Sequence, residues 1–144
     1  MMTETLLYFG LGFLLLYFTF TDIRERRIPN VTSLSVILIF LIYRSFDSPI
    51  YLWGLVPSII LIILFLFNPR IIGGGDIKMF ACVGLIVGLS NTMNILFWTS
   101  VTGLLFLFLT RLGMRGFERQ PFPLAPFTAV GYILAMSLNV GGLA

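Results

Sequence analysis

The sequence predicts an all-α, polytopic integral membrane protein with six transmembrane helices and both termini on the extracytoplasmic side. Three observations lead there. Of 144 residues, 58% are hydrophobic and 10% charged, against roughly 25% charged in soluble domains. So few charges cannot coat a globule, and the apolar surface must face lipid. The apolar residues fall into six runs between polar breaks, and the basic residues gather beside alternate runs, as in a chain threading a bilayer. Disorder is excluded, because it goes with few aromatics and many charges, whereas this chain has 15 Phe.

The first run spans about Thr5 to Thr21 and stops at Asp22-Ile23-Arg24-Glu25-Arg26-Arg27. It lacks a basic start, and a basic cluster follows it in place of a small-residue cleavage site, so it reads as a retained helix rather than a signal peptide. The second run begins after Pro29-Asn30, with Asn30 expected as helix N-cap, and ends near Tyr43-Arg44. Ser45 to Pro49 leads into the third, roughly Tyr51 to Phe67, which Asn68-Pro69-Arg70 closes. Gly73-Gly74-Gly75 marks a loop whose backbone needs unusual freedom. The fourth run goes from Asp76 to about Leu89. Its Gly84 and Gly88 have GxxxG spacing, read as close helix packing rather than dimerisation, and its Cys82 reads as a small apolar filler. The fifth goes from Met93 to Thr110, Arg111 to Pro123 is the longest polar connection, and the sixth covers about Ala125 to Val140.

Runs one, three and five approach the roughly 20 residues a bilayer demands. The second and fourth are shorter, and borrow flanking residues or begin inside a protein-lined cavity. With no repeat, low-complexity tract or linker, residues 1–144 read as a single transmembrane domain.

Orientation follows from the basic residues. Loops after the first, third and fifth runs carry Arg24, Arg26, Arg27, Arg70, Lys78, Arg111, Arg115 and Arg119, whereas the opposite face carries only Arg44. Eight against one puts the basic side in the cytoplasm. The net charge of +3 then reflects Arg at the membrane surface, and no nucleic-acid partner is expected.

Missing residues narrow the chemistry. The chain has no His, which excludes Ser-His-Asp triads and His general bases. Cys82 is its single Cys, so an intrachain disulfide and a CxxC zinc pair are excluded too. Six carboxylates, five Tyr and Lys78 remain for proton transfer. An enzyme built from these is a carboxylate enzyme, with no metal or cofactor called for.

Asp22 ends the first run and Asp76 opens the fourth, with two helices between them. An even number of crossings returns the chain to its starting side, so both carboxylates belong to one membrane face. Each has a structural role open to it: Asp76 can cap its own helix, and Asp22 can pair with Arg26 at i+4. Together they can do more, since carboxylates near hydrocarbon are costly and usually carry function. A close pair shares one proton, and its ionised member can activate a water while its protonated member polarises a scissile carbonyl. Gly73 to Gly75 would let backbone approach the substrate. Lys78, two positions after Asp76, points away from it and either snorkels to lipid phosphate or orients substrate. Arg24, Arg26 and Arg27 read as topology anchors, Pro121, Pro123 and Pro126 as helix stops or a gating loop, and Glu25 and Glu118 are the other acids on this face.

Asp22-Ile23-Arg24-Glu25-Arg26-Arg27-Ile28-Pro29-Asn30 and Gly73-Gly74-Gly75-Asp76-Ile77-Lys78 resemble the two signatures of the type IV prepilin and preflagellin peptidases: Asp followed shortly by Ile-Pro-Asn, and a Gly-x-Gly-Asp-x-Lys box. Pro121 to Phe127 looks like the Pro-rich entry to that family's last helix. The resemblance implies that Asp22 and Asp76 are catalytic aspartates of a multi-pass plasma-membrane peptidase. It implies as partners the lipid bilayer and pilin-like precursors, which lose a short basic leader at the cytoplasmic face. Gly73, Gly74, Gly75, Lys78 and Glu25 are the expected substrate contacts. Larger bacterial relatives carry a cytoplasmic insert with paired CxxC motifs and also N-methylate the new terminus. Here the connection after Asp22 is a few residues and Cys82 stands alone, which implies the short, peptidase-only form. Two other classes stay open on the residues: a small proton- or ion-coupled transporter, against which neither Asp lies mid-helix, and a non-catalytic membrane subunit of a pilus or secretion machine. A Ser–Lys protease on Lys78 lacks a well-placed Ser.

Overall fold

The structure, a computed structural model, describes residues 2–25, 28–68, 73–113 and 124–139. Every described element is helical: α1 (Met2–Glu25), α2 (Asn30–Asp47), a 3-10 segment (Pro49–Leu55), α3 (Val56–Phe67), α4 (Gly74–Gly113) and α5 (Ala125–Asn139). Four stretches are long and apolar enough to cross a membrane: Thr5–Glu25, Asn30–Asp47, Pro49–Phe67 and Gly74–Thr110. Most of their large apolar side chains point outward, Phe9, Phe13, Phe46 and Phe67 among them. In water such a surface would aggregate; this is an integral membrane protein.

The fourth and fifth runs form one element, α4, interrupted at Gly88 with φ +78° and ψ 175°. A side chain rarely tolerates that φ, so the break needs glycine. The contacts on either side show that the chain turns back there. Asp76 lies within reach of the charge of Asp22, at the end of α1. Asn91, just past the break, donates to the Tyr8 hydroxyl near the other end of α1 at 3.2 Å. Phe106 meets Phe127 in the first turns of α5, ring centroids 5.3 Å apart and planes tilted by 57°, and the Asp22 carboxylate accepts the N–H of nearby Ala125. The break also strands carbonyls that a continuous helix would use. Thr92 Oγ1 bonds Gly88 O at 2.6 Å, Asn91 Nδ2 bonds Val87 O at 3.2 Å, and Arg44 Nη2 bonds Ile86 O at 2.9 Å.

Residues 74–87 are the axis of the core, with Met79, Cys82, Val83 and Leu85 inaccessible. On α1, Leu11, Leu15 and Phe18 are buried, an i, i+4, i+7 stripe facing that axis. The second half of α4 packs on α5, where a Cβ on Gly131 would meet Thr99 and the Ile95 carbonyl. α2 runs parallel to 74–87: Asn30 meets Lys78, the Ser33 carbonyl meets Cys82, and Arg44 meets Ile86.

The third run enters as a 3-10 segment, not as the expected α-helix. Pro57 has no N–H to return to the Trp53 carbonyl, which instead accepts the N–H of Val56, an i+3 bond. Here the backbones of Gly54 and Gly84 touch, with no room for a side chain on either. Gly84 thus bears out the packing reading of the GxxxG pair, while Gly88 serves as the hinge.

Candidate functional site

Asp22 continues the buried stripe of α1, one turn beyond Phe18, and is 9% exposed. Its Oδ2 accepts the backbone N–H of Ala125 at 3.1 Å. Ala125 opens α5, and the first N–H groups of a helix lack intrahelical acceptors, so a carboxylate there meets both an unused donor and the positive end of the helix dipole. The pairing of Asp22 with Arg26 falls outside the described residues.

Asp76 is the third residue of α4. Its N–H donates to the Gly73 carbonyl at 3.1 Å, and the Gly73 N–H points back at its carboxylate. This is the backbone half of a capping box, with glycine where the cap side chain would be. A Cβ on Gly73 would sit 3.1 Å from Asp76 Oδ2, so the missing side chain leaves one edge of the carboxylate approachable. Asp76 is half-buried, and Gly73 and Gly74 beside it are exposed. One carboxylate is thus enclosed and anchored, the other is half-buried beside exposed glycines, and Asp76 feels the charge of Asp22. Such a pair can hold a proton between them and activate a water.

The remaining expected contacts separate. Glu25 is exposed at the end of α1. Gly75 lies under Ile28, whose side chain would be 3.3 Å from a Cβ there. Lys78 donates from Nζ to Asn30 Oδ1 at 2.5 Å. Asn30 therefore is not the N-cap the sequence implied. Pro29 holds that position without a side-chain bond, and Asn30 is the first helical residue, its amide turned to Lys78. A charged donor on α4 outcompetes the unpaired N–H groups of α2 for that oxygen. Arg26, Arg27, Arg70, Arg115, Glu118, Arg119, Pro121 and Pro123 lie outside the described residues, as does the side chain of Arg111.

Two features were invisible in the sequence, one at the aspartates and one at the far end of the bundle. The Ala125 donor is backbone, which no residue type announces. Arg44 was counted as a surface charge, yet it is inaccessible, 3.7 Å from the Tyr51 ring centroid and 3.5 Å from Asp47 Oδ2.

Comparison with known proteins bears on this end of the molecule. The chain is 34% identical over 128 residues to the prepilin leader peptidase/N-methyltransferase of Bacillus subtilis (strain 168), covering 85% of this chain and 51% of that protein. It thus spans about half the length of that relative. No solved structure matches. The type IV leader peptidase family matches residues 9–108, a stretch that holds both aspartates, Asn30 and the three glycines. With more than half its length inside that match, the chain belongs to the type IV leader peptidase family.

Proposed function

We propose that this protein is an intramembrane aspartic endopeptidase that removes the short basic leader from pilin-like (prepilin or preflagellin) precursors. Residues 1–144 form one transmembrane peptidase domain of six crossings, because α4 returns at Gly88. Its termini are extracytoplasmic and its active site faces the cytoplasm across the plasma membrane. The observation that supports this reading is that Asp76, half-buried at the start of α4, lies within range of the charge of Asp22.

Asp22 serves as the base. Its Oδ2 is engaged by Ala125, which leaves Oδ1 to take a proton from the water held between the aspartates. The oxygen of that water attacks the scissile carbonyl as Asp76 gives its proton to the carbonyl oxygen. The resulting gem-diol collapses when the proton on Asp22 passes to the leaving nitrogen, the C–N bond breaks, and Asp76 recovers its proton from the diol. No metal or covalent intermediate takes part. Gly73 and Gly74 offer room and backbone groups to the substrate strand, and Glu25 meets the basic leader. The connection from α1 to α2 covers only residues 26–29, and Cys82 is buried without a second thiol, so we assign no N-methyltransferase activity.

Membranes carrying the protein, mixed with a precursor pilin, should shorten it by the leader. Asp22→Asn and Asp76→Asn should each reduce the rate at least about a hundredfold at unchanged protein level. Parental cleavage by either variant would refute the dyad, and Asp-dependent proton or ion flux in liposomes without cleavage would point to a transporter.

A further inference from the structure

The residues that follow Asp22 are fastened to the helix that carries Asp76. Ile28 is 7% exposed and lies over Gly75. Asn30 Oδ1 takes the Lys78 ammonium, and one turn further Cys82 Sγ approaches the Ser33 carbonyl at 3.5 Å. Lys78 is two positions from Asp76, so about 200° of helix rotation separates them. Ile28 thus meets α4 at Gly75, where a Cβ would press on it, and Asn30 meets α4 at Lys78, well round the helix from Asp76.

We infer that Asn30 and Lys78 are positioning residues that clasp the connection after Asp22 onto the first turns of α4, and so set where Asp76 stands relative to Asp22. The inference rests on the peptidase reading and deepens it. It assigns Lys78 to the frame of the site rather than to the leader, and gives Asn30 a role in place of capping. A charged donor on a neutral acceptor is stronger than a neutral pair. The bond is solvent-accessible, so its effect should appear as geometry of the dyad rather than as loss of the fold.

The test is a double-mutant cycle on cleavage of a precursor in membranes, using Asn30→Ala, Lys78→Met and the two combined. Each single change should lower kcat about fivefold with KM within about twofold, and the combination should be no worse than either alone, since one device is lost once. Asn30→Asp, which keeps the acceptor, should retain parental kcat. Losses that multiply in the combination, or a rise in KM confined to Lys78→Met, would overturn the clasp and return Lys78 to the substrate. An activity-free readout stands beside it. In a Cys82→Ala background, Asn30→Cys with Lys78→Cys should be joined by a short bifunctional thiol reagent, and failure to join would also overturn the clasp. Run in parallel, Asp22→Asn and Asp76→Asn separate the two failures. If they abolish cleavage while the cycle is multiplicative, the clasp alone falls; if they cleave normally, the dyad reading falls.

Discussion

Arg44 carries a full charge at a position with no solvent access, beyond Ile86 and near the break in α4. Its neighbours there include the Ile86 carbonyl, the faces of Tyr51 and Tyr43 and the Asp47 carboxylate. Arg44→Met fills much of the volume but strands the Ile86 carbonyl and removes the ion pair with Asp47. It should lower stability by about 2–4 kcal/mol. Cys82 reports this directly, because the thiol is buried until unfolding; a thiol-reactive dye in a thermal ramp should give an earlier transition for the variant. The dyad makes a different prediction at the same scale. The proposed dyad needs one aspartate ionised and the other protonated, so kcat/KM should fall on both the acid and the alkaline side of an optimum. The two limbs belong to the pair rather than to either residue. A pH profile rising to a plateau with a single limb would show that one carboxylate acts alone. Gly73→Ala places a methyl 3.1 Å from Asp76 Oδ2, and should cost kcat more than thermal stability, measured by cleavage and by the Cys82 ramp on the same preparation.

Among the elements, α4 bears the most on the site, because its break turns a 40-residue helix into two that flank the core. Gly88→Ala must either hold a side chain at φ +78° or straighten the helix, and its Cβ would lie 3.1 Å from Tyr51. The strain is about 1–2 kcal/mol, so the Cys82 transition should move down while cleavage survives below it. Much of this element was legible in advance. The fourth apolar run was expected to end near Leu89, and the break falls at Gly88, next to Ser90 and Asn91, whose polarity gave the boundary away. Both aspartates were likewise legible, since an acidic residue closing one apolar run and another opening a later run carry their own signal. The 3-10 entry to the third run was not foreseen, although Pro57 had announced it through its missing N–H. Asn30 was misassigned for a different reason. Its type fits a cap, and only the approach of Lys78, 48 positions away, decides otherwise. The close contact of Gly54 with Gly84 and the Ala125 donor depend on tertiary approach alone, which local pattern cannot encode.

At the scale of the whole molecule, length bears on how α4 can lie in a bilayer. An unbroken helix of 40 residues would reach about 60 Å, twice the roughly 30 Å of hydrocarbon. One crossing would drive a long apolar stretch, including Leu104, Leu105 and Phe108, into water. In the proposed six-crossing arrangement, residues 74–87 reach about 21 Å and lean on flanking residues to cross, whereas residues 89–113 reach about 37 Å and bring Phe106 back beside Phe127. Labelling can test this arrangement and its orientation together. In a Cys82→Ala background, an impermeant maleimide applied to spheroplasts should modify Ser45→Cys and Ser90→Cys, both exposed positions on the side away from the aspartates. Arg24→Cys and Thr110→Cys should react only after permeabilisation. If all four patterns invert, the paired carboxylates still share a face but that face is extracytoplasmic, and a cytoplasmic leader could not reach them. If Ser90→Cys instead behaves like Arg24→Cys, the return at Gly88 does not occur in the membrane, and the six crossings fail with it.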